Sequence, residues 1–275
     1  MSSVQHTIDC FVANDDAKWH KLTVAGGLLA GVAVTYFVVR QATRETSRIW
    51  QAIDDWRQPW TKVGTVTDLV IYPLKSARGV SVRSADCGLW GLELGRLADR
   101  RFLLVDAETG EFLTARHHAR LLQLSVNVHE QVATLAHTDT NQQCSLQLQH
   151  VIRTGTLRRV RLWRGSETDA YDCGDTMAKW LQTLLQLERP VRLVYFVPGL
   201  YNARRYDADK KLKPLRLNQF DTLNRKAAFS DLTQYMLANE QSLAELNGRL
   251  MEGDRVKMRA MRPNIVVNTE KPWEE

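Results

Sequence analysis

The sequence predicts an α+β chain, rich in β-structure, behind an N-terminal transmembrane helix. Three observations carry this. Between Val63 and about Val160, short apolar or alternating runs recur at roughly ten-residue spacing, the rhythm of a β-barrel or sandwich. Beyond them, apolar residues return at helical spacing in two segments, Met177–Leu185 and Leu243–Leu250. Ahead of both, Leu22–Val39 (LTVAGGLLAGVAVTYFVV) runs for 18 residues without a charge. At 275 residues, 44% apolar and 25% charged, the chain holds one large domain or two intimate smaller ones with a real core.

Residues 1–21 are polar, with Lys18 and Lys21 just before the apolar run. Leu22–Val39 would span about 27 Å as a helix, near the hydrocarbon thickness of a bilayer. Arg40, Arg44 and Arg48 follow it, and the positive-inside bias then places the large C-terminal part on the cytosolic side. A cleaved signal peptide is the alternative, but the run is long for one and no clear A-x-A site follows. Residues 40–62 form a basic tether, helical by the spacing of Ile49, Trp50, Ile53 and Trp56, and ended by Pro59.

The stretch VGTVTDLVIYPLKSARGVSV, Val63–Val82, predicts a buried strand that stops at Tyr72, because Pro73 cannot donate to a ladder and holds its predecessor extended. Lys75 and Ser76 stand at the strand's exit, a point charge and a hydroxyl placed where a phosphate can be held. Gly79 closes the turn before Val80 and Val82 resume. Further strands are predicted at Arg101–Val105, Glu111–Thr114, Leu121–Val128, Val132–Ala136, Ser145–Val151 and Leu157–Trp163, with GLELGRLADRRF and its Asp99 and Arg100 between strands. His117 and His118 are adjacent and so point to opposite faces, which makes a poor chelate. Asp175 or Thr176 caps the helix through Leu185, and Pro190 ends it. Val191–Val197 reads as a strand. Asn239 caps the next helix, with Leu243, Leu246 and Leu250 on its buried face. In MRPNIVVN, Arg262 and Asn264 at the entrance to the strand Ile265–Val267 make a donor cluster suited to a phosphate or a pterin-like ring, or, in the structural reading, leave Arg262 in an ordinary ion pair.

The net charge of +6 is concentrated between Arg204 and Lys226, where Arg204, Arg205, Lys210, Lys211, Lys213, Arg216, Arg225 and Lys226 face only Asp207, Asp209 and Asp221. An acidic protein, a phosphorylated ligand or an anionic membrane suits such a patch. Nucleic acid suits it least, with neither an aromatic-interleaved pattern nor a helix-turn-helix signature present. Cys10, Cys87, Cys144 and Cys173 lie far apart with no C-x-x-C pair, which argues against a zinc ribbon and a disulfide scaffold.

Six motifs in order, VGTV…IYPLKS-x-x-GV, GL-x-x-G-x-L-x-DR, TAR…RLL, DCGD-x-x-A-x-W, FSD and RPNIV, resemble the mitochondrial amidoxime-reducing component family of MOSC-domain molybdenum-cofactor proteins. The resemblance runs from about Val63 to the C-terminus. It implies a MOSC N-terminal β domain at 63–185 and an incomplete MOSC β-barrel at 186–275. The cofactor it implies is molybdenum-molybdopterin, held between the two. By motif, Lys75 and Ser76 would bind the cofactor's phosphate end, Arg100 and Arg262 would add charged donors, and Asn264 would hydrogen-bond the pterin. Asp231 and Thr233 fall in another cofactor-binding segment, in which Leu232 stands where the family usually has a small hydroxyl residue.

What the resemblance implies for function is reduction of N-hydroxylated compounds such as amidoximes and hydroxylamines. Electrons would come from NADH through cytochrome b5 reductase and cytochrome b5, and the basic Arg204–Lys226 segment would meet an acidic cytochrome b5. The family sits in the outer mitochondrial membrane facing the cytosol, with the endoplasmic reticulum membrane as the alternative. In the family the cysteine that ligates molybdenum lies beyond RPNIV, whereas this sequence ends at Glu275, and Cys173 matches a family cysteine that is not the metal ligand. The expectation is therefore a C-terminally truncated form, with no catalytic or metal-ligating residue assigned. The rival reading is a non-catalytic anchored molybdopterin-binding form, and a third is a sulfur carrier using Cys87 or Cys173.

Overall fold

A computed structural model of the chain describes residues 61–163, 166–200, 228–231 and 233–273. The expected span at 22–39, the tether up to residue 60, the basic Arg204–Lys226 segment and Leu232 lie outside them. Among the described residues no helix is long and apolar enough to cross a membrane. Val63–Glu275 forms one compact unit by itself.

Its first strand, β1 (Gly64–Ile71), ends just before Tyr72 and Pro73, as the missing proline N–H requires. It pairs antiparallel with β2 (Val80–Val82) across the tight turn that carries Lys75 and Ser76. Three short strands follow, β3 (Asp86–Gly88), β4 (Gly91–Leu94) and β5 (Leu97–Ala98), forming a small sheet where a loop was expected. In β6 (Phe102–Asp106) four successive residues are buried. Phe102 and Leu104 enter one apolar core and Leu103 and Val105 another, so this strand is covered on both faces.

Glu111 and Phe112 make only isolated bridges, to Arg161 and Val105, in place of the expected strand. A 3₁₀ turn at Ala119–Gln123 precedes β7 (Leu124–His129), which forms a three-stranded sheet with β8 (Val132–His137) and β9 (Gln143–Gln147). The strand expected over Ser145–Val151 turns helical at α1 (Leu148–Thr154). Leu148 and Val151, three apart, bury on one side of it, and Gly155 ends the helix at φ +67°, a left-handed cap that glycine accepts without a Cβ clash.

β10 (Leu157–Arg161) and β11 (Glu167–Asp172) lead to α2 (Asp175–Leu185), capped by Gly174 rather than by Asp175 or Thr176. Its Met177, Leu181 and Leu185 pack on Phe102, Leu104 and Leu193, as a core stripe should. β12 (Val191–Tyr195) completes a sheet in the order β10-β11-β12-β6. The last elements are β13 (Leu237–Asn239), α3 (Glu240–Gly248), α4 (Met258–Met261) and β14 (Ile265–Thr269). The Asn239 side chain accepts from the Gln241 N–H, an N-cap as expected. Leu243, Leu246 and Leu250 are only half-buried, and the buried residue of that helix is Ser242, which accepts from the Trp273 N–H.

β14 runs between β13, its parallel partner, and β1, its antiparallel one. Strands from both sides of residue 186 thus share sheets: β12 with β6, and β14 with β1. Among the described residues all four sheets are open, and no barrel closes.

Candidate functional site

The pairing of β1 with β14 decides where the polar residues meet. It sets the Lys75–Ser76 turn, at the exit of β1, beside Arg262 and Asn264, at the entrance of β14. All seven residues singled out in the sequence, Lys75, Ser76, Arg100, Asp231, Thr233, Arg262 and Asn264, line one cavity of about 680 Å³. Arg116 and Trp163 line it too, so among the described residues four cations surround a space with a single carboxylate, Asp231, in its wall.

Lys75 is buried, and its ammonium donates to the Phe229 carbonyl at 2.7 Å and pairs with Asp231. Phe229 is fully buried against Phe196, which anchors the FSD segment and brings Asp231 to the cavity wall. The Trp163 indole N–H donates to the same carboxylate at 2.8 Å. Burial raises the Asp231 pKa, but the Lys75 ammonium, the indole and Arg100 outweigh it and hold the carboxyl below its ordinary value. Asp231 is therefore ionised at neutral pH. Thr233 donates its hydroxyl to the Tyr235 carbonyl at 2.7 Å.

Ser76 sits at φ +65° in a turn closed by the Ala77 N–H on the Leu74 carbonyl. Arg100 (φ +49°) and Arg262 (φ +59°) are left-handed as well. Three of the described non-glycine residues with positive φ thus face one cavity, where backbone strain is retained only if the surroundings enforce it.

Arg262 donates from Nη1 to the Ala77 carbonyl at 2.5 Å, while its Nη2 is buried with no hydrogen-bond partner among the described residues. The structure thus gives it a carbonyl and an aromatic face in place of an ordinary ion pair. Burial and the neighbouring Arg100 push it down to about 10. A half-buried guanidinium that lines a cavity and meets no carboxylate among the described residues is the chemistry of an anion-oxygen site.

Asn264 plays a different part from a free donor. Its amide nitrogen donates to the Val70 carbonyl at 3.1 Å and to Asp99 at 2.9 Å, and its oxygen accepts from Arg100 and from the Met236 N–H, each at 3.2 Å. With its side chain committed to the protein, it serves the cavity by orienting Arg100. Asp99, buried beneath, accepts from the same Arg100 Nη1 and from the Tyr72 N–H. Sequence reasoning missed Tyr72 and Trp163, whose rings look like strand core and packing surface until their neighbours are known. The one legible sign was the Asp99-Arg100 pair beside an apolar run.

Among the described residues no group of three or more His, Cys, Asp and Glu is arranged to hold a metal, and no cysteine lines the cavity. The Cys173 thiol is buried and its pKa is pushed up by burial, with the Asp172 carboxylate adding to it, which disfavours the thiolate a sulfur carrier needs. The DCGD motif is structural: Asp172 accepts from Arg158, from Arg192 and from the Gly174 N–H, tying β11 to β10 and β12.

Residues 63–188 match the family model of the MOSC N-terminal beta barrel domain. Human mitochondrial amidoxime-reducing component 1 is 34% identical over 80% of this chain and 64% of its own length. Human mitochondrial amidoxime reducing component 2 is 33% identical over 80% and 64%, and the zebrafish (Danio rerio) component 1 is 32% identical over 78% and 62%. The chain is similar to the mitochondrial amidoxime-reducing components, and it spans 64% of the length of either human relative. Among solved structures, a Bordetella bronchiseptica protein determined in solution aligns at 21% identity over 42% of this chain and 86% of that one, with a TM-score of 0.31.

Proposed function

We propose that the cavity holds the phosphate and pterin of molybdenum-molybdopterin, and that the chain takes part in reducing N-hydroxylated compounds. One observation carries this: cationic donors, a strained turn and a buried unpartnered guanidinium N–H converge on a single cavity wide enough for such a group. Lys75, Ser76, Arg100 and Arg262 would grip the phosphate through charge-assisted hydrogen bonds. Asp231, an acceptor held ionised, would take N–H groups of the pterin edge. Thr233 lies on the same wall, and Asn264 holds Arg100 in place. When bound, the group supplies the two-electron chemistry of oxygen removal; the chain supplies binding, orientation and a low-dielectric wall.

The relatives' names motivate amidoximes as substrates and a mitochondrial location, and hydroxylamines share the N–O bond that the reaction would break. On this reading the Leu22–Val39 run anchors the chain in the outer membrane with residues 63–275 facing the cytosol. Electrons reach it from NADH through cytochrome b5 reductase and cytochrome b5, the latter meeting the basic Arg204–Lys226 segment by charge complementarity. The lack of a cysteine in the described cavity wall favours a second reading, a cofactor-binding protein without turnover of its own.

The test is the pterin and molybdenum content of the purified full chain, made in a host that synthesises the cofactor, beside Lys75→Ala/Arg262→Ala. Pterin in the wild type and at least tenfold less in the double variant is expected. Equal content in both refutes the site. Turnover of a hydroxylamine in a reconstituted cytochrome b5 chain then separates the enzyme from the binding protein.

A further inference from the structure

Arg100 and Arg262 both line the cavity, and two guanidiniums in a partly buried space repel each other. Both lie over one ring, that of Tyr72. Tyr72 is buried, and its ring centroid lies 4.3 Å from the Arg262 Cζ and 5.3 Å from the Arg100 Cζ, both within cation–π range. The Tyr72 backbone is tied to Arg100 and its neighbour: its N–H donates to Asp99 at 2.8 Å, and its carbonyl accepts from the Arg100 N–H at 2.7 Å.

The ring's own position is set from the other side by Gly79. A Cβ at that position would fall 2.6 Å from a Tyr72 ring carbon and 2.5 Å from a Val70 methyl. Gly79 is not in the left-handed region, so close approach to the ring, and not backbone freedom, explains the glycine.

We propose that Tyr72 is a positioning residue: its ring, wedged by Gly79, is the platform that holds the Arg100 and Arg262 guanidiniums in place at the cavity that would take an anion. This deepens the reading of the cavity as an anion site and rests on it for its ligand. The negative ring face offsets part of the repulsion between the two cations before any ligand arrives, so the anion meets a clamp already assembled.

The experiment uses the full chain and inorganic phosphate as the probe, with affinity read by calorimetry and folding by circular dichroism. Tyr72→Phe keeps the ring and should bind within about twofold of wild type. Tyr72→Leu removes the ring face and should bind about tenfold more weakly, the size expected of two cation–π contacts. Gly79→Ala should weaken binding in the same direction, and with Tyr72→Phe it decides the matter if Tyr72→Leu does not fold. A double-mutant cycle of Tyr72→Leu and Arg262→Met, read as urea midpoints, should be non-additive whether or not phosphate is present. Additive midpoints, or Tyr72→Phe binding as weakly as Tyr72→Leu, would overturn the proposal. Wild type that ignores phosphate while the cycle stays non-additive refutes the anion site and leaves the platform standing.

Discussion

Ser76 occupies a turn position where glycine is the relaxed choice, since its φ of +65° crowds a Cβ. A serine kept there spends stability on its hydroxyl. Ser76→Gly should therefore leave the urea midpoint unchanged or raise it, by at most about 1 kcal/mol, while phosphate affinity falls several-fold. A matched fall in both would mean that the hydroxyl serves the fold instead. The Lys75–Ser76 turn was legible because Pro73 marks the end of β1, and Arg262 because a proline follows it at a strand entrance. The partnership of Asp99 with Asn264 was not, since 165 positions separate them in the chain. Nor was Tyr72, whose ring in the sequence is one more apolar residue at a strand end.

Between elements, Asp172 is the tie of greatest consequence. It is 5% exposed and meets two arginines from neighbouring strands. Burial raises its pKa, but Arg192, Arg158 and the Gly174 N–H outweigh this and depress it below the ordinary value. The stability it contributes is therefore present above the unfolded-state value of about 4 and is lost as pH falls through the lower folded value. Asp172→Asn should cost about 3 kcal/mol at pH 7, the scale of a broken buried pair. Below pH 4 the cost should shrink, which urea melts between pH 7 and 3 would measure; a cost independent of pH would remove the charge from the explanation. At this scale the sequence misled in places. Leu148, Val151 and Ile152 suit strand or helix equally, and the burial of Leu148 with Val151 and the Gly155 cap settle it as α1. GLELGRLADRRF hides two strands among glycines and charges because β4 and β5 are only four and two residues long.

Across the whole molecule, the fold and the cavity share one dependency. Val266 of β14 is buried, and its strand lies between β13 and β1, so the wall that carries Arg262 is also the centre of a sheet. Val266→Ala should destabilise by roughly 2 kcal/mol, with tryptophan fluorescence and far-ultraviolet dichroism falling in one coincident transition. Two separated transitions would show that the sheet and the cavity unfold independently. The pairing also sets a clock. The bond from Asn264 to Val70 joins residues 194 positions apart. At ~5–20 residues per second, a ribosome needs about 10–40 s to supply the second after the first. Throughout that interval β1 has one edge unmatched and the Lys75 turn has no Arg262 beside it. The clamp therefore assembles only once Arg262 has been synthesised, and any ligand that needs Arg262 is loaded after that.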